Sequence, residues 1–185
     1  MKGVVWLFYW GEPGQRGPGF NRRSGSMTSR LLVASILALG VAPAMAQQDP
    51  SYRKDIEPMM KKYCYECHAA PDAPSYAEFK LDEEKWKKAK VGPRLDTYEH
   101  VVVLVAYPGT GAFMRRLDDG THEFAGGKPG NMLKYLGETD AERKALLGVL
   151  KAWVGEGGWN LNRMSARGNV PALTKDQLDK LKVKY

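Results

Sequence analysis

The chain holds two cysteines, Cys64 and Cys67, and His68 follows the second directly. A spacing of three puts both thiols on one side of a single helical turn, with an imidazole beside them. Few chemistries use that arrangement. A disulfide here would close a very short loop and stabilise little. A thioredoxin-like dithiol should follow a strand in a βαβ pattern, and no strand pattern precedes Cys64. A structural zinc ion asks for four Cys or His ligands in a tetrahedron. Three stand here, and the adjacent Cys67 and His68 suit one tetrahedral ion poorly. The reading that uses all three is C-x-x-C-H as the attachment signature of c-type haem. Each thiol then bonds a vinyl group, and His68 is the proximal iron ligand.

That chemistry is completed outside the cytoplasm, so an export signal tests it. Met27-Thr28-Ser29-Arg30 is a short basic start, and Leu31 to Val41 is apolar apart from Ser35 and Gly40. Ala44-Met45-Ala46 is an A-x-A cleavage site. Residues 27–46 therefore read as a cleaved secretory signal peptide, and the mature chain begins at Gln47. The apolar run is too short to span a bilayer, and nothing later in the chain matches it, so the product is not membrane-spanning. Residues 1–26 show no useful period and read as a spurious extension upstream of the true start at Met27. Arg22-Arg23 resembles part of a twin-arginine signal, but Ser24-Gly25-Ser26 does not continue it.

The formal charge of +7 includes this leader. From Gln47 onward the balance is +3 (23 Lys and Arg against 20 Asp and Glu). The two signs are interspersed, which argues against nucleic acid as a partner. The mature length suits one small domain.

Within it, Ile56, Met59, Met60 and Tyr63 recur at helical spacing and run into Cys64, with Pro58 early in the helix where proline is tolerated. Residues 76–90 are charged. Lys85, Lys87, Lys88 and Lys90 form a small basic cluster, either a solvated face or a docking patch for an acidic redox partner. Val101 to Ala106 could be a short buried strand or a helix. Ala112 to Leu117 reads as one or two helical turns packing Phe113 and Leu117. Asp118 to Asn131 is a glycine-rich loop. Thr139-Asp140-Ala141-Glu142 is a capping box opening the strongest helix, to about Val154, stopped by Gly155 and Gly157. A last short helix, capped by Thr174 with Gln177, packs Leu178 and Leu181.

The order of these elements resembles class I, single-haem cytochrome c domains. Asp55-Ile56-Glu57-Pro58, Cys64–His68, Arg94-Leu95-Asp96, Met132 and Trp153-Val154-Gly155-Glu156-Gly157 carry the likeness, over about residues 52–160. It implies an all-α fold: a small helical domain over 47–157, wrapped around one covalent haem c, with a C-terminal extension, 158–185, packing on the domain or on a partner. It also implies that a loop methionine ligates the far side of the iron. Met132 is the expected one, although the proline that usually follows the ligand is replaced by Leu133, and Pro129 lies before it. Met59, Met60 and Met114 read as core, Met164 lies beyond the last helix of the pattern and is disfavoured, and His100 and His122 are the histidine alternatives. Arg94 and Lys134 are candidate propionate partners, with solvation as the default.

The implied function is electron transfer rather than catalysis. Methionine and histidine ligation raises the potential and leaves no open position. The leading expectation is a periplasmic electron carrier that docks weakly on a redox donor and an acceptor. The alternatives are a haem c subunit of a membrane-associated or periplasmic oxidoreductase complex, and an open-site sensor or peroxidase-like enzyme.

Overall fold

A computed structural model describes residues 48–166 and 170–185. The expected signal peptide and the upstream segment lie outside the described residues. Among the described residues no helix is long and apolar enough to cross a membrane, and the secondary structure is helical.

The chain enters through a wide π-type turn, Tyr52–Ile56, capped by Ser51, whose Oγ accepts from Lys54 N–H. This continues into α1 (Glu57–Tyr63), with Pro58 in its first turn, where its missing N–H costs nothing. The helical spacing seen in the sequence is used directly: Ile56, Met59 and Met60 are buried and Tyr63 is half-buried. Then α2 (Tyr65–His68) adds a single turn containing Cys67 and His68.

The charged stretch forms two short helices, α3 (Tyr76–Leu81) and α4 (Glu83–Ala89). Ser75 and Asp82 cap them, each accepting from a backbone N–H three residues on. Lys85, Lys87, Lys88 and Lys90 are all exposed on or after α4. Leu81 is also exposed.

The apolar run resolves as a helix, α5 (Tyr98–Val105). Thr97 Oγ1 accepts from His100 N–H and starts it. A helical turn, not an extended strand, puts Val101, Leu104 and Val105 on one buried face. After Gly111 comes α6 (Ala112–Leu117), burying Phe113, Met114 and Leu117. The glycine-rich segment carries one 3₁₀ turn, Glu123–Ala125, and a second, Leu133–Tyr135, follows Met132.

The longest helix, α7 (Asp140–Val154), lies over the entry turn and buries Leu147, Leu150, Trp153 and Val154. Complete burial of side chains of this size contributes roughly 1.5–3 kcal/mol each. The expected capping box is only half made. Thr139 Oγ1 accepts from Glu142 N–H at 3.1 Å, but the Glu142 carboxylate reaches Glu138 N–H at 2.8 Å instead of Thr139. Its other oxygen takes a hydrogen bond from Tyr63 OH. The residue is therefore turned toward α1, which ties the helix before Cys64 to the start of α7.

The short α8 (Glu156–Trp159) and α9 (Lys175–Leu178) complete the helices. The Thr174–Gln177 capping box is made in both directions. Of the two leucines expected to pack, Leu181 does so, while Leu178 is 48 % exposed. The last residues then form a strap. Lys182 N–H and Val183 N–H donate to Val154 O and Trp153 O, and Lys184 O accepts from Tyr52 N–H at 2.7 Å. Lys184 O also accepts from the Trp153 indole at 2.8 Å, and Val183 O accepts from Tyr98 OH at 2.7 Å. Gly157 admits the chain before this strap, since a Cβ there would lie 1.8 Å from Gln177 O.

Candidate functional site

One turn of chain carries Cys64, Cys67 and His68. Cys64 closes α1 by donating its N–H to Met60 O at 2.8 Å, and its own carbonyl accepts from Cys67 N–H and His68 N–H at 3.2 and 2.9 Å. Both thiols are free. Cys64 is half-buried and Cys67 exposed. Burial, with the neighbouring Cys67 adding to it, pushes the Cys64 thiol up to about 11. A thiol kept neutral in this way is a poor disulfide partner.

The His68 imidazole is oriented by a segment distant in sequence. His68 Nδ1 lies 2.8 Å from Pro93 O. A carbonyl can only accept, so Nδ1 carries the proton and Nε2 keeps its lone pair for a metal. Leu95 N–H donates to His68 O at 2.7 Å, and Asp96 accepts from Ala70 N–H at 3.0 Å. Residues 92–96 thus clasp the turn at three levels. Gly92 makes the approach possible: a Cβ there would stand 2.6 Å from His68 Cε1.

Asp96 anchors the clasp. Its carboxylate takes Arg94 Nη2 at 2.8 Å and faces His100 Nδ1 at 2.9 Å. Burial alone would raise its pKa, but Arg94, the Ala70 N–H and His100 outweigh that and hold it at about 2. Arg94 commits its Nε and Nη2 to Asp96. Because the folded value lies below the unfolded value of about 3.9, the stabilisation is complete above about pH 4 and disappears as the pH falls toward 2. Asp96→Asn is expected to flatten the pH dependence of the melting temperature across that window, as read by acid titration of thermal unfolding.

The other predicted residues sit as follows. Met132 is half-buried, packs against the core, and is held from α6, its N–H donating to Arg116 O at 3.0 Å. Met59, Met60, Met114 and Met164 are buried in the core cluster. His100 faces Asp96, and His122 is buried with Nδ1 2.5 Å from Asp118 Oδ1. Lys134 lies over the ring of Tyr135. Lys87 is paired with Glu83 at 2.9 Å and Lys85 rests over Trp86, so the basic cluster is partly neutralised.

Sequence reasoning missed Gly92, Pro93 and the Asp118–His122 pair. Gly92-Pro93 carries only a turn signal locally, because its role depends on an imidazole brought from another segment.

The donors present fit a covalent haem. Two free thiols flank one turn, the next imidazole has its Nδ1 proton engaged, and the space beside its ring is kept clear by a glycine. No curated protein matches the chain. The family model described as PccH cytochrome c matches residues 51–185. Among solved structures, the monoheme cytochrome PccH from Geobacter sulfurreducens is 44 % identical, superposes with a TM-score of 0.60, and covers 75 % of this chain and 100 % of its own. Since the match runs from the entry turn through the C-x-x-C-H turn to the terminal strap, the chain belongs to the PccH cytochrome c family, and it is an all-α monohaem c-type cytochrome that carries one haem c for haem-based electron transfer.

Proposed function

We propose that the protein is a periplasmic carrier of single electrons, with its haem bonded through Cys64 and Cys67 and its iron held by His68 and Met132. The observation that carries this reading is the His68–Pro93 hydrogen bond of 2.8 Å, which leaves Nε2 as the only free ring nitrogen. Haem c supplies a one-electron Fe(III)/Fe(II) couple.

The chain's residues do the rest. Cys64 and Cys67 set the plane by covalent attachment, so the cofactor is not lost on changing charge. Pro93 O fixes the ring orientation of His68, and the clasp from Leu95 and Asp96 holds its backbone. Met132, whose N–H donates to Arg116 O, would be the second residue holding the iron and would leave small molecules no coordination position. Thioether ligation favours the reduced state and raises the potential. The exposed Lys85, Lys88 and Lys90 steer an acidic donor or acceptor into a small, short-lived interface. Export by the segment 27–46 places this exchange in the periplasm.

Optical spectra of the ferric and reduced holoprotein test the reading. A weak red-edge sulfur-to-iron band in the ferric form is expected, and Met132→Ala should abolish it and admit carbon monoxide to the reduced form. A low-spin ferric spectrum without that band, in the unmodified protein, would assign a second histidine instead. A high-spin spectrum would mean an open iron and overturn the carrier reading.

A further inference from the structure

The segment between α6 and Met132 has the composition of a loose glycine loop, yet it is closed at its base. Gly130 N–H donates to Asp118 O at 2.7 Å, and Met132 N–H donates to Arg116 O at 3.0 Å. The far end of the loop so donates twice to the end of α6 and the residue after it. Arg116 Nη1 adds a hydrogen bond to Asn131 Oδ1 at 2.9 Å. The two segments approach so closely at Gly130 that a Cβ would stand 2.2 Å from Arg116 O.

Within the loop one side chain gathers the polar groups. The Asp118 carboxylate is fully buried. It accepts from Gly120 N–H at 3.2 Å and from His122 Nδ1 at 2.5 Å. A carboxylate accepts only, so Nδ1 carries the proton. The His122 ring is buried as well, lying 6.0 Å from the Phe124 ring and 6.4 Å from Trp159. The next residue turns outward: Asp119 takes Thr121 and Lys151, which ties the loop to α7. Asp118 thus joins the base of the loop, through its carbonyl, to the interior of the loop, through its carboxylate.

We infer that the buried Asp118–His122 pair is the positioning device for Met132. The inference rests on the reading of Met132 as the distal ligand. A thioether is a weak donor to ferric iron. Its occupancy therefore depends on how firmly the polypeptide presents it. The pair presets the loop with Met132 at one of its ends, and the energy is concentrated in one buried, charge-assisted contact. Removing either partner leaves the other buried and unsatisfied. The base of the loop then loosens and a competing ligand displaces the sulfur. His122 acts through the loop and is not itself a ligand.

The test uses the full holoprotein, with imidazole as the competing ligand for the ferric form and the red-edge band as a second readout. Asp118→Asn keeps the shape and removes the charge. His122→Leu keeps an apolar body and removes the donor, whereas His122→Gln keeps a donor. Losing a charge-assisted buried hydrogen bond should tighten imidazole binding by about ten- to a hundredfold in Asp118→Asn and His122→Leu, with the band weakened. His122→Gln should stay near the parent. If Leu performs as well as Gln, the ring serves packing alone and the inference is overturned. If Asp118→Asn fails to take up haem, the Leu and Gln pair still decides. Parent-like imidazole affinity in all three, with the band lost in Met132→Ala, would overturn the positioning role and leave the ligand assignment standing. A band that survives Met132→Ala would overturn both.

Discussion

Replacing Gly92 with alanine is expected to displace His68 and impair formation of the holoprotein. The new Cβ would lie 2.6 Å from Cε1 and 3.3 Å from Nδ1 of the imidazole, closer than carbon and nitrogen atoms pack. Gly92 does not adopt a left-handed conformation, so alanine suits the backbone and the whole effect arises from the lost space. Two responses are open to the structure. The ring can swing away, breaking the 2.8 Å contact with Pro93 O, or residues 92–96 can shift and strain the bonds to His68 O and Ala70 N–H. Overpacking of this kind costs about 1–3 kcal/mol. The expected signature is a lower yield of covalent haem and a ferric spectrum with added high-spin character, together with a lowered melting temperature of the holoprotein. A Gly92→Ala protein with parent spectrum and melting temperature would show that the proximal clasp has slack.

Deleting residues 181–185 is expected to destabilise the domain strongly, although Lys182, Lys184 and Tyr185 carry charged or polar tips. The strap supplies acceptors that the core lacks. Without it, Tyr52 N–H and the Trp153 indole lose Lys184 O, and Tyr98 OH loses Val183 O. Tyr52 and Trp153 are 3 % and 0 % exposed. Two buried donors left unpaired cost about 1–3 kcal/mol each, or roughly 2–6 kcal/mol before water reaches them. Tyr185 also goes, which stacks on Tyr52 at 6.1 Å and carries Arg53 over its ring. Because Tyr185 is half exposed, Tyr185→Ala should cost no more than about 1 kcal/mol. Thermal or denaturant unfolding of the two variants separates backbone acceptors from ring stacking. Equal effects would place the strap's contribution in the stack.

This strap bears on the haem because of where it lands. Tyr52 opens the turn that becomes α1, and Trp153 ends α7. One carbonyl, Lys184 O, therefore joins the entry turn that leads into α1 to the end of α7. The Tyr63–Glu142 bond joins the same helices at their other ends. The sequence reading saw Gly155 and Gly157 as helix stops. The structure adds that Gly157 leaves room for the chain returning along α8.

Cys64, Cys67 and His68 read as a haem site because attachment and ligation need only one turn of chain. The α7 helix was legible because Thr139 caps it and a 3.6-residue period marks its buried face. Val101 to Ala106 was not legible, since a short apolar run satisfies strand and helix alike. Its helical form is set by Thr97 and by the neighbours that bury Val101, Leu104 and Val105. Glu142 was expected to close a capping box and instead meets Tyr63, a partner 79 residues away. Pro93 holding His68, Asp118 holding His122 inside a loop of glycines, and Lys184 bridging Tyr52 and Trp153 belong to the same class. Each joins a donor to an acceptor that is one of many in the chain. Only the folded backbone brings the particular pair within reach, and the cost of leaving buried donors unpaired then selects it.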